Sequence, residues 1–432
     1  MELCPPDVAF LGQTPCKIHL SATVEILPLA ETASPADQGE CIDAVRQACE
    51  AGTPIYPIGG GTSLNYGLPA RKQGLGLSLA NLNRVVDYPA RDMTVTVEAG
   101  ITMTQLAQTL AAQGQRLPID APRAEQATLG GLIATNHSGP RRFGCGTIRD
   151  YVIGISAVDG RGMAFKGGGR VVKNVAGYDF CKLLTGSMGT LGVITQVTLK
   201  VKPLAETSAF LTCACPDWDA VERLLAGFSN SQVTPTCIDA VSGPAWSDAG
   251  LNRAADTAAH VAVGLEGPAT EVRWMSERLR GEWLEFGDAN VQTIENEAAV
   301  HLWRRLTEFP AEEDGAPLLR FSVLPSGTVD VMRKLREIDP ACSLQSQAGN
   351  GVVLCRLSQT ASDLARTLIS TLQPLAARAG GTCVVYAYPA GLELTRQATW
   401  GGAASASRVM LSVKEQFDPQ GLLNPGRFIY GK

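Results

Sequence analysis

Three consecutive glycines followed by two hydroxyl residues form the first segment that could bind a ligand. Residues 57–65 read PIGGGTSLN and follow a short apolar run. Glycine lacks a Cβ, so several backbone N–H groups in such a loop can point at one anion, for example a pyrophosphate. The segment has neither the GxGxxG pattern of Rossmann sites nor the GxxxxGK[ST] pattern of P-loops. By itself it is also typical of a glycine-rich surface turn.

Further segments contain groups that suit the same kind of ligand. Residues 127–131 (ATLGG) open a predicted helix, whose free N–H groups and positive dipole end favour a phosphate or a polar cofactor edge. Residues 135–144 (TNHSGPRRFG) supply hydroxyl, amide and basic groups, and residues 186–195 (GSMGTLGVIT) run into a strand whose backbone can bond an aromatic heterocycle. Together these segments favour a cofactor site over a surface turn.

The elements that would position these segments follow from hydrophobic spacing and capping residues. Apolar residues recur at helical spacing over 39–51, and Gly52 supplies a helix stop. Thr102 is a predicted N-cap for a helix that runs to residue 112, and Thr128 for a helix over 129–136. Short β-type runs lie at 54–58, 75–79, 85–88 and 93–98. This order predicts a βαβ entry followed by more strands.

Later segments predict a hairpin and then a second kind of domain. The turn at 159–162 (DGRG) separates β-type runs at 150–158 and 163–165, and a β-branched run over 191–201 predicts the last strand of a first domain. Beyond residue 206 we predict strands over 208–215, 236–241, 260–266, 318–324, 343–347, 351–357 and 382–388, and helices over 217–228, 270–284, 326–338, 361–377 and 408–416. Sequential elements of this kind favour an antiparallel sheet covered by helices.

Composition excludes several classes of protein. The 432 residues suggest two or three domains, and 37 basic against 42 acidic residues give a net charge of -5, too little positive charge for nucleic-acid binding. The first residues lack the pattern of a signal peptide and no long apolar run could span a membrane, so we expect a cytoplasmic protein. Twelve scattered cysteines without a CxxC pair, and four dispersed histidines, predict no protein-held metal.

The order of the glycine-rich motifs resembles a known family. The chain contains, in sequence, GGGTSLNYG, ATLGGLIATNHSGPRRFG, TIRDYVIG, GGRVVKNVAGYDFCKLLTGSMGTLGVITQVTLKVKP and FDPQGLLNPGRF. These resemble the FAD-binding fold of the vanillyl-alcohol oxidase and p-cresol methylhydroxylase (PCMH) superfamily. The resemblance implies an α+β chain with a two-part PCMH-type FAD-binding domain over 1–206, a βαβ part and a mixed α+β part. An α+β cap domain with an antiparallel sheet would cover 207–400, and 401–432 would return to the FAD domain.

Carried over position by position, the resemblance implies a set of cofactor-binding residues. The pyrophosphate would lie on the loop from Pro57 to Asn65, and other residues would meet the ring, the ribityl chain or the adenine. The implied residues are Pro57, Gly59, Gly60, Gly61, Thr62, Ser63, Asn65, Thr128, Gly130, Gly131, Ser138, Gly139, Val193 and Ile194. For Lys173 a role near the flavin and a structural ion pair with Asp179 stay equally open.

Two departures from the superfamily bear on chemistry. Relatives that bind flavin covalently often have His in the first loop, where this chain has Thr62, so the resemblance implies noncovalent FAD. Relatives that oxidise lactate or glycolate have a motif of the HGxxDxNxH kind in the cap, and this chain has none. The expected base is therefore missing and the catalytic residues stay unknown. Arg304, Arg305 and Arg320 are weak candidates for a carboxylate clamp, with ion pairing as the alternative.

Within the superfamily, the chain most resembles the FAD-binding subunits of bacterial glycolate oxidases. That implies oxidation of a small 2-hydroxy acid, glycolate to glyoxylate, beside a second FAD-linked catalytic subunit and an iron–sulfur subunit. Attachment to the inner face of the membrane would then occur only through partners. Two alternatives stay open: a self-sufficient FAD-dependent dehydrogenase of the D-lactate type, and a scaffold subunit that has lost flavin. The missing histidines count against the first, and the intact glycines against the second.

Overall fold

A computed structural model describes residues 26–170, 177–252, 257–285, 290–312, 315–360, 363–388, 392, 394–402 and 406–429. The chain divides into two compact units. The first unit comprises the described residues within 11–138, 147–203 and 402–432, and the second those within 139–146 and 204–401. Each unit has its own sheet and its own hydrophobic core. Among the described residues, no helix is long and apolar enough to cross a membrane.

The first unit begins with the predicted βαβ entry. Its three-stranded parallel sheet has the order Leu29–Ala33, Gly74–Ser78, Ile55–Ile58. The helix Gln38–Ala51 connects the outer strands; Asp37 accepts a hydrogen bond from the Glu40 N–H at its start, and Gly52 adopts φ 66° at its end. The capping residues thus set both ends of this helix. The strand Ile55–Ile58 leads directly into the glycine loop.

Besides the antiparallel pair of Gln115–Arg116 with Lys202–Pro203, the first unit contains a five-stranded sheet. Its order is Val85–Asp87, Thr94–Glu98, Val193–Lys200, Val152–Val158, Ala164–Gly168, and all neighbours are antiparallel. The predicted hairpin around 159–162 is present. Thr102 forms a capping box with Gln105 for the helix Met103–Ala111, and Thr128 caps the helix Leu129–Thr135. The unit's other helices are Ile148–Tyr151, Phe180–Leu184 and Ser407–Phe417, whereas Arg142–Cys145 belongs to the second unit.

The second unit contains an eight-stranded antiparallel sheet, which confirms the predicted α+β class with an antiparallel sheet. Its strands lie in the order Val291–Glu295, Thr207–Cys215, Ala259–Gly267, Cys237–Ser242, Ser343–Gln347, Val352–Arg356, Leu318–Ser322, Thr382–Ala387. Its helices are Trp218–Gly227, Ala269–Glu285, Asn296–Glu308, Thr328–Ile338, Leu364–Thr367, Gln373–Arg378 and Arg396–Trp400. Alternate strand residues such as Leu211, Val263, Leu319 and Val353 face one shared core.

Several elements differ from the sequence prediction. The predicted continuous helix over 361–377 is wrong: a π-helical turn, Leu368–Leu372, separates two short α-helices. Pro374 stands in the first turn of the second of these, where its missing N–H breaks the α-helical ladder. The strands Leu29–Ala33 and Val291–Glu295 were not predicted. Both lie at sheet edges and are largely exposed, so they lack the apolar alternation that identifies a strand.

A buried ion pair holds the C-terminal helix in the first unit. Lys414 and Asp418 are 1% and 2% exposed, and the Lys414 Nζ lies 2.5 Å from Asp418 Oδ2. Burial lowers the pKa of the Lys414 amine, and the charge and hydrogen bond of Asp418 oppose that shift. Asp418 also accepts the backbone N–H groups of Leu422 and Leu423. Every charge in this pair is therefore hydrogen-bonded, as a buried pair requires.

Candidate functional site

A cleft in the first unit brings together most of the predicted cofactor residues. It encloses about 870 Å³ of empty space, part of it open to solvent. The lining residues are Leu27, Pro57, Gly59, Gly60, Gly61, Thr62, Ser63, Leu64, Tyr66, Leu79, Ala99, Thr128, Gly130, Gly131, Ala134, Thr135, Met188, Gly189, Gly192, Ile194, Asn424 and Arg427. They come from three glycine-rich segments and from the C-terminal segment.

The glycine loop lies so close to its neighbour that side chains would not fit. A Cβ built on Gly60 would lie 1.6 Å from the carbonyl oxygen of Gln126, and one on Gly59 would lie 2.2 Å from Thr128 Oγ1. Gly61 adopts φ 76°, a backbone conformation that L side chains rarely adopt. The three glycines therefore have two roles, since the first two allow close packing and the third allows a left-handed turn.

The backbone donors of this loop are available to a ligand. Within the described chain, the N–H groups of residues 59–63 donate no hydrogen bond to a protein group. A buried or half-buried backbone donor needs a partner, and an anion in the cleft would supply one. The loop thus has the arrangement expected of a pyrophosphate-binding segment.

The helix Leu129–Thr135 does not supply the free donors that the sequence predicted. The N–H of Leu129 donates to the Ile101 carbonyl (3.0 Å) and that of Gly130 to the Ala99 carbonyl (2.7 Å). The N–H of Gly131 donates to the Thr128 hydroxyl at 3.3 Å. The first N–H groups of this helix are therefore already paired within the chain. Gly130 and Gly131 instead shape the wall, since a Cβ on Gly130 would lie 2.9 Å from that of Ala99.

Polar atoms next to the cleft also lack protein partners. Asn136 Oδ1 and Ser187 Oγ are buried, and neither has a hydrogen-bond partner in the described chain. They neighbour the lining residues Thr135 and Met188 in sequence. Buried polar atoms are nearly always paired, so such atoms beside a cleft are consistent with a polar ligand there. The residues present therefore fit a dinucleotide cofactor.

Some predicted residues lie elsewhere. Asn65 is exposed and Val193 is buried in a hydrophobic core with Val158, while Ile194 lines the cleft. Ser138 is outside the lining, and Gly139 belongs to the second unit. Lys173 and Asn174 lie outside the described residues.

Asp179 has a structural role in the described chain. It accepts the Lys182 N–H at the start of the helix Phe180–Leu184, and it pairs with the Lys182 amine at 3.0 Å.

Sequence reasoning missed two polar residues from the C-terminal segment. Asn424 and Arg427 line the cleft, although they follow the glycine loop by more than 350 residues. The Arg427 guanidinium, which is 4% exposed, donates to the carbonyl oxygens of Leu64 and Tyr66. The available signal was the LNPGR sequence in a motif that the family resemblance contained, but spacing alone could not assign it to the cleft.

The three candidate arginines in the second unit differ in their contacts. Arg304 is exposed. Arg305 is structural: its guanidinium pairs with Asp248 (3.2 Å) and Glu312 (3.1 Å). Arg320 lies on the strand Leu318–Ser322 and forms no ion pair with a described residue.

The Arg320 guanidinium lies over the Tyr386 ring, with its central carbon 5.6 Å from the ring centroid. Its Nε is buried without a hydrogen-bond partner in the described chain. Of the three candidates, Arg320 is thus the one whose surroundings leave hydrogen-bonding capacity for a carboxylate.

Within the ranges that the structure covers, no group of three or more His, Cys, Asp or Glu side chains could hold a metal ion. The His260 ring lies 2.7 Å from the Asn252 carbonyl oxygen and is buried in the second unit. Its position is that of a packed histidine.

Comparisons with known proteins agree with this geometry. Residues 30–168 match the family described as FAD binding domain. The chain is 29% identical to glycolate oxidase subunit GlcE of Escherichia coli, over 89% of this chain and 95% of that protein. It is 27% identical to D-lactate dehydrogenase of Archaeoglobus fulgidus, over 99% of this chain and 97% of that protein. The solved structure of alkyldihydroxyacetonephosphate synthase has a TM-score of 0.65 at 19% identity, over 91% of this chain and 76% of that one, which shows a shared fold.

The close approach at Gly60 leads to a first prediction. Gly60→Ala should abolish FAD retention through gel filtration and lower the thermal midpoint, because the Gln126 carbonyl cannot move away without shifting the whole segment. Gly281→Ala is the control, since it stands in a helix with nothing near its Cβ, and we expect stabilisation of up to about 1 kcal/mol. A Gly60→Ala protein with full flavin content and an unchanged midpoint would contradict the packing described.

Proposed function

We propose that this chain, whose residues 30–168 match the family described as FAD binding domain, is the FAD-binding subunit of a glycolate oxidase complex. Its substrate class would be small 2-hydroxy acids, with glycolate as the substrate and glyoxylate as the product. The observation that carries the cofactor part is the loop 59–63, whose backbone donors have no protein partner in the described chain. The likeness to the Escherichia coli subunit, over nearly the whole length of both chains, supports the rest.

The residues of this chain would bind and orient the cofactor. We infer that the donors of Gly59, Gly60, Gly61, Thr62 and Ser63 bind the pyrophosphate, and that the wall formed by Gly130, Gly131 and Ile194 accommodates the flavin side. Bound FAD supplies acceptance of a hydride equivalent or of electrons. Thr62 offers a hydroxyl in the loop, which suits noncovalent binding.

Arg320, in the second unit, is the residue of this chain that we propose for binding a carboxylate. A guanidinium can donate two parallel hydrogen bonds to a carboxylate, and the aromatic ring of Tyr386 beneath it limits its orientations. Oxidation of a 2-hydroxy acid also requires a group that accepts the hydroxyl proton. The described part of this chain offers no histidine in a catalytic motif, which is why we propose a second, catalytic subunit beside it. We also propose an iron–sulfur subunit as the electron acceptor.

A self-sufficient D-lactate-type dehydrogenase is the second candidate. It is favoured by the likeness to the Archaeoglobus fulgidus enzyme, which spans 99% of this chain. A flavin-free scaffold is disfavoured because the close packing at Gly59 and Gly60 keeps an N–H-lined loop that a scaffold would not need.

The experiment that separates the two enzyme candidates uses the purified chain alone. The protein should carry a flavin that acid precipitation releases, and anaerobic glycolate or D-lactate should leave the flavin absorbance near 450 nm unchanged until the partner subunits are added. Bleaching by the chain alone would favour the self-sufficient dehydrogenase. No flavin in a folded protein, even after incubation with FAD, would contradict both.

Charge at the loop can be tested at Ser63 and not at Gly60, where any side chain clashes. Ser63→Asp places a carboxylate beside the bound pyrophosphate and should raise the Kd for FAD about 10- to 100-fold, because like charges a few ångströms apart repel strongly in a partly buried site. Ser63→Asn has nearly the same shape without the charge and should bind FAD with affinity close to that of the wild type. Equal affinities of the two variants in a fluorescence titration would place the pyrophosphate elsewhere.

Arg320→Met should lower kcat/KM for the 2-hydroxy acid about 10- to 100-fold in the assembled complex, the usual effect of losing a hydrogen bond to a charged group. Arg320→Lys keeps the charge without the planar guanidinium, and its kcat/KM should lie between those of the wild type and Arg320→Met. Arg333→Met, which removes an exposed ion pair with Asp219 in the same unit, should change little. An Arg320→Met complex with unchanged kinetics and normal flavin content would exclude this residue from the substrate site.

A further inference from the structure

Two buried cysteines of the second unit lie next to each other in its core. Cys342 directly precedes the strand Ser343–Gln347. Cys355 lies on the neighbouring strand, Val352–Arg356. Both residues have a relative exposure of 0%, and their thiols are hydrogen-bonded to each other. The function proposed above uses neither thiol.

The register of the sheet explains why these two side chains meet. Leu344 lies opposite Cys355 in the antiparallel pair of strands, and Cys342 stands two residues before Leu344. Side chains two residues apart point to the same face, so Cys342 and Cys355 are diagonal neighbours on the face that packs into the core. Cys342 itself lies outside the strand, so its backbone can adjust to the specific geometry that a disulfide requires.

The surroundings of the pair make the two thiols unequal. The hydrogen bond from Cys355 lowers the pKa of the Cys342 thiol, and the Arg336 guanidinium acts in the same direction, while burial and the Asp339 carboxylate oppose the shift. Arg336 also donates to the Cys342 carbonyl oxygen at 3.0 Å, which keeps its charge beside this residue. The same thiol–thiol hydrogen bond, together with burial, raises the pKa of Cys355. The pair thus combines a nucleophilic thiolate with a protonated thiol beside it.

Other buried thiols of the chain are held in the protonated form. Burial raises the pKa of Cys41 to about 12 and that of Cys181 to about 11. Burial also raises the pKa of Cys383. The strand Leu318–Ser322 separates the strand of Cys383 from that of Cys355, which places the two strands about 10 Å apart. The pair described above therefore differs from these three thiols in ease of deprotonation.

A short exposed loop leads into Cys342. Pro340 and Ala341 are exposed. The Asp339 carboxylate accepts the N–H groups of Ala341 at 3.2 Å and Ser358 at 2.7 Å, so hydrogen bonds at the surface hold the loop. Local opening of such a loop costs less free energy than unfolding of the whole unit, and it can admit a molecule as small as a peroxide.

We propose that Cys342 and Cys355 form a site of reversible oxidation by hydrogen peroxide. The Cys342 thiolate attacks the peroxide, so that an S–O bond forms, the O–O bond breaks and hydroxide leaves. The Cys355 thiol then attacks the resulting sulfenic sulfur, the S–S bond forms and the oxygen leaves as water. In total the two thiols lose two electrons and two protons, and one peroxide becomes two waters. The proposal depends on neither FAD nor a 2-hydroxy acid.

The test is peptide mapping of the full chain after mild treatment with hydrogen peroxide and alkylation of free thiols in denaturant. The wild type should yield a linked peptide pair containing Cys342 and Cys355, with a mass about 2 Da below the sum of the reduced peptides. Dithiothreitol should restore both thiols, which distinguishes a disulfide from an irreversible sulfinic acid. Cys41 and Cys181 in the same sample should remain fully alkylated, because their thiols stay protonated.

Two variants distinguish this pair from other pairings. Cys355→Ala leaves Cys342 without a second thiol, so peroxide should convert Cys342 to the sulfenic and then the sulfinic acid, with loss of the linked peptides. Cys383→Ala is the matched control, because it removes another buried thiol of the same core and should form the disulfide as the wild type does.

A wild-type chain whose Cys342 and Cys355 both remain fully alkylated, at a peroxide dose that oxidises glutathione completely, would overturn the proposal. A disulfide that links Cys355 to Cys383 would overturn it as well. Both outcomes are read from the wild-type protein, so the test does not depend on whether a variant folds.

Discussion

The first unit depends on the contact between the glycine loop and the segment 126–128. The Cβ positions of Gly59 and Gly60 are filled by Thr128 Oγ1 and the Gln126 carbonyl oxygen, so the loop cannot lie where it does with any other residue at these positions. The same Thr128 hydroxyl caps the next helix by accepting the Gly131 N–H. One small cluster thus fixes the loop, the start of the helix and the wall between them. Gly59, Gly60 and Thr128 of this cluster all line the cleft.

The backbone hydrogen bonds of the first unit distinguish the glycine loop from the start of the helix Leu129–Thr135. A helix end is the usual anion site, but the first donors of Leu129–Thr135 are satisfied by Ala99, Ile101 and Thr128. The donors of residues 59–63 have no partner in the described chain. A backbone group that is taken out of bulk water without a partner costs free energy, so it is the loop that gains from an anion. In the proposed site, the helix contributes shape through its glycines and the loop contributes the hydrogen-bond donors.

Local patterns in the sequence were sufficient to predict most helices and strands and the glycine-rich segments that line the cleft. Capping residues gave the helices that begin after Asp37, Thr102 and Thr128, because a cap is a property of a few adjacent residues. The sequence could not show that the donors at Leu129 and Gly130 are already used, since their acceptors at Ile101 and Ala99 come from another element. It could not place Arg427 either, because a contact with Leu64 joins residues that only the tertiary fold brings together. The edge strand Leu29–Ala33 could not be predicted either, because it is largely exposed and lacks the alternation of apolar and polar residues.

The order of the chain adds a constraint on when the site becomes complete. The glycine loop is synthesised early, but the strand that leads into it gains its second neighbour, beside Gly74–Ser78, only when Leu423 reaches Ile55. The carbonyls of Leu64 and Tyr66 receive their donors later still, from Arg427. The entropic cost of closing a loop grows only slowly with its length, so a contact across several hundred residues is affordable. It can form, however, only once the residues at both ends have been synthesised. The first unit is interrupted in sequence by nearly all of the second, so its cleft can be completed only after the residues of the second unit have been synthesised.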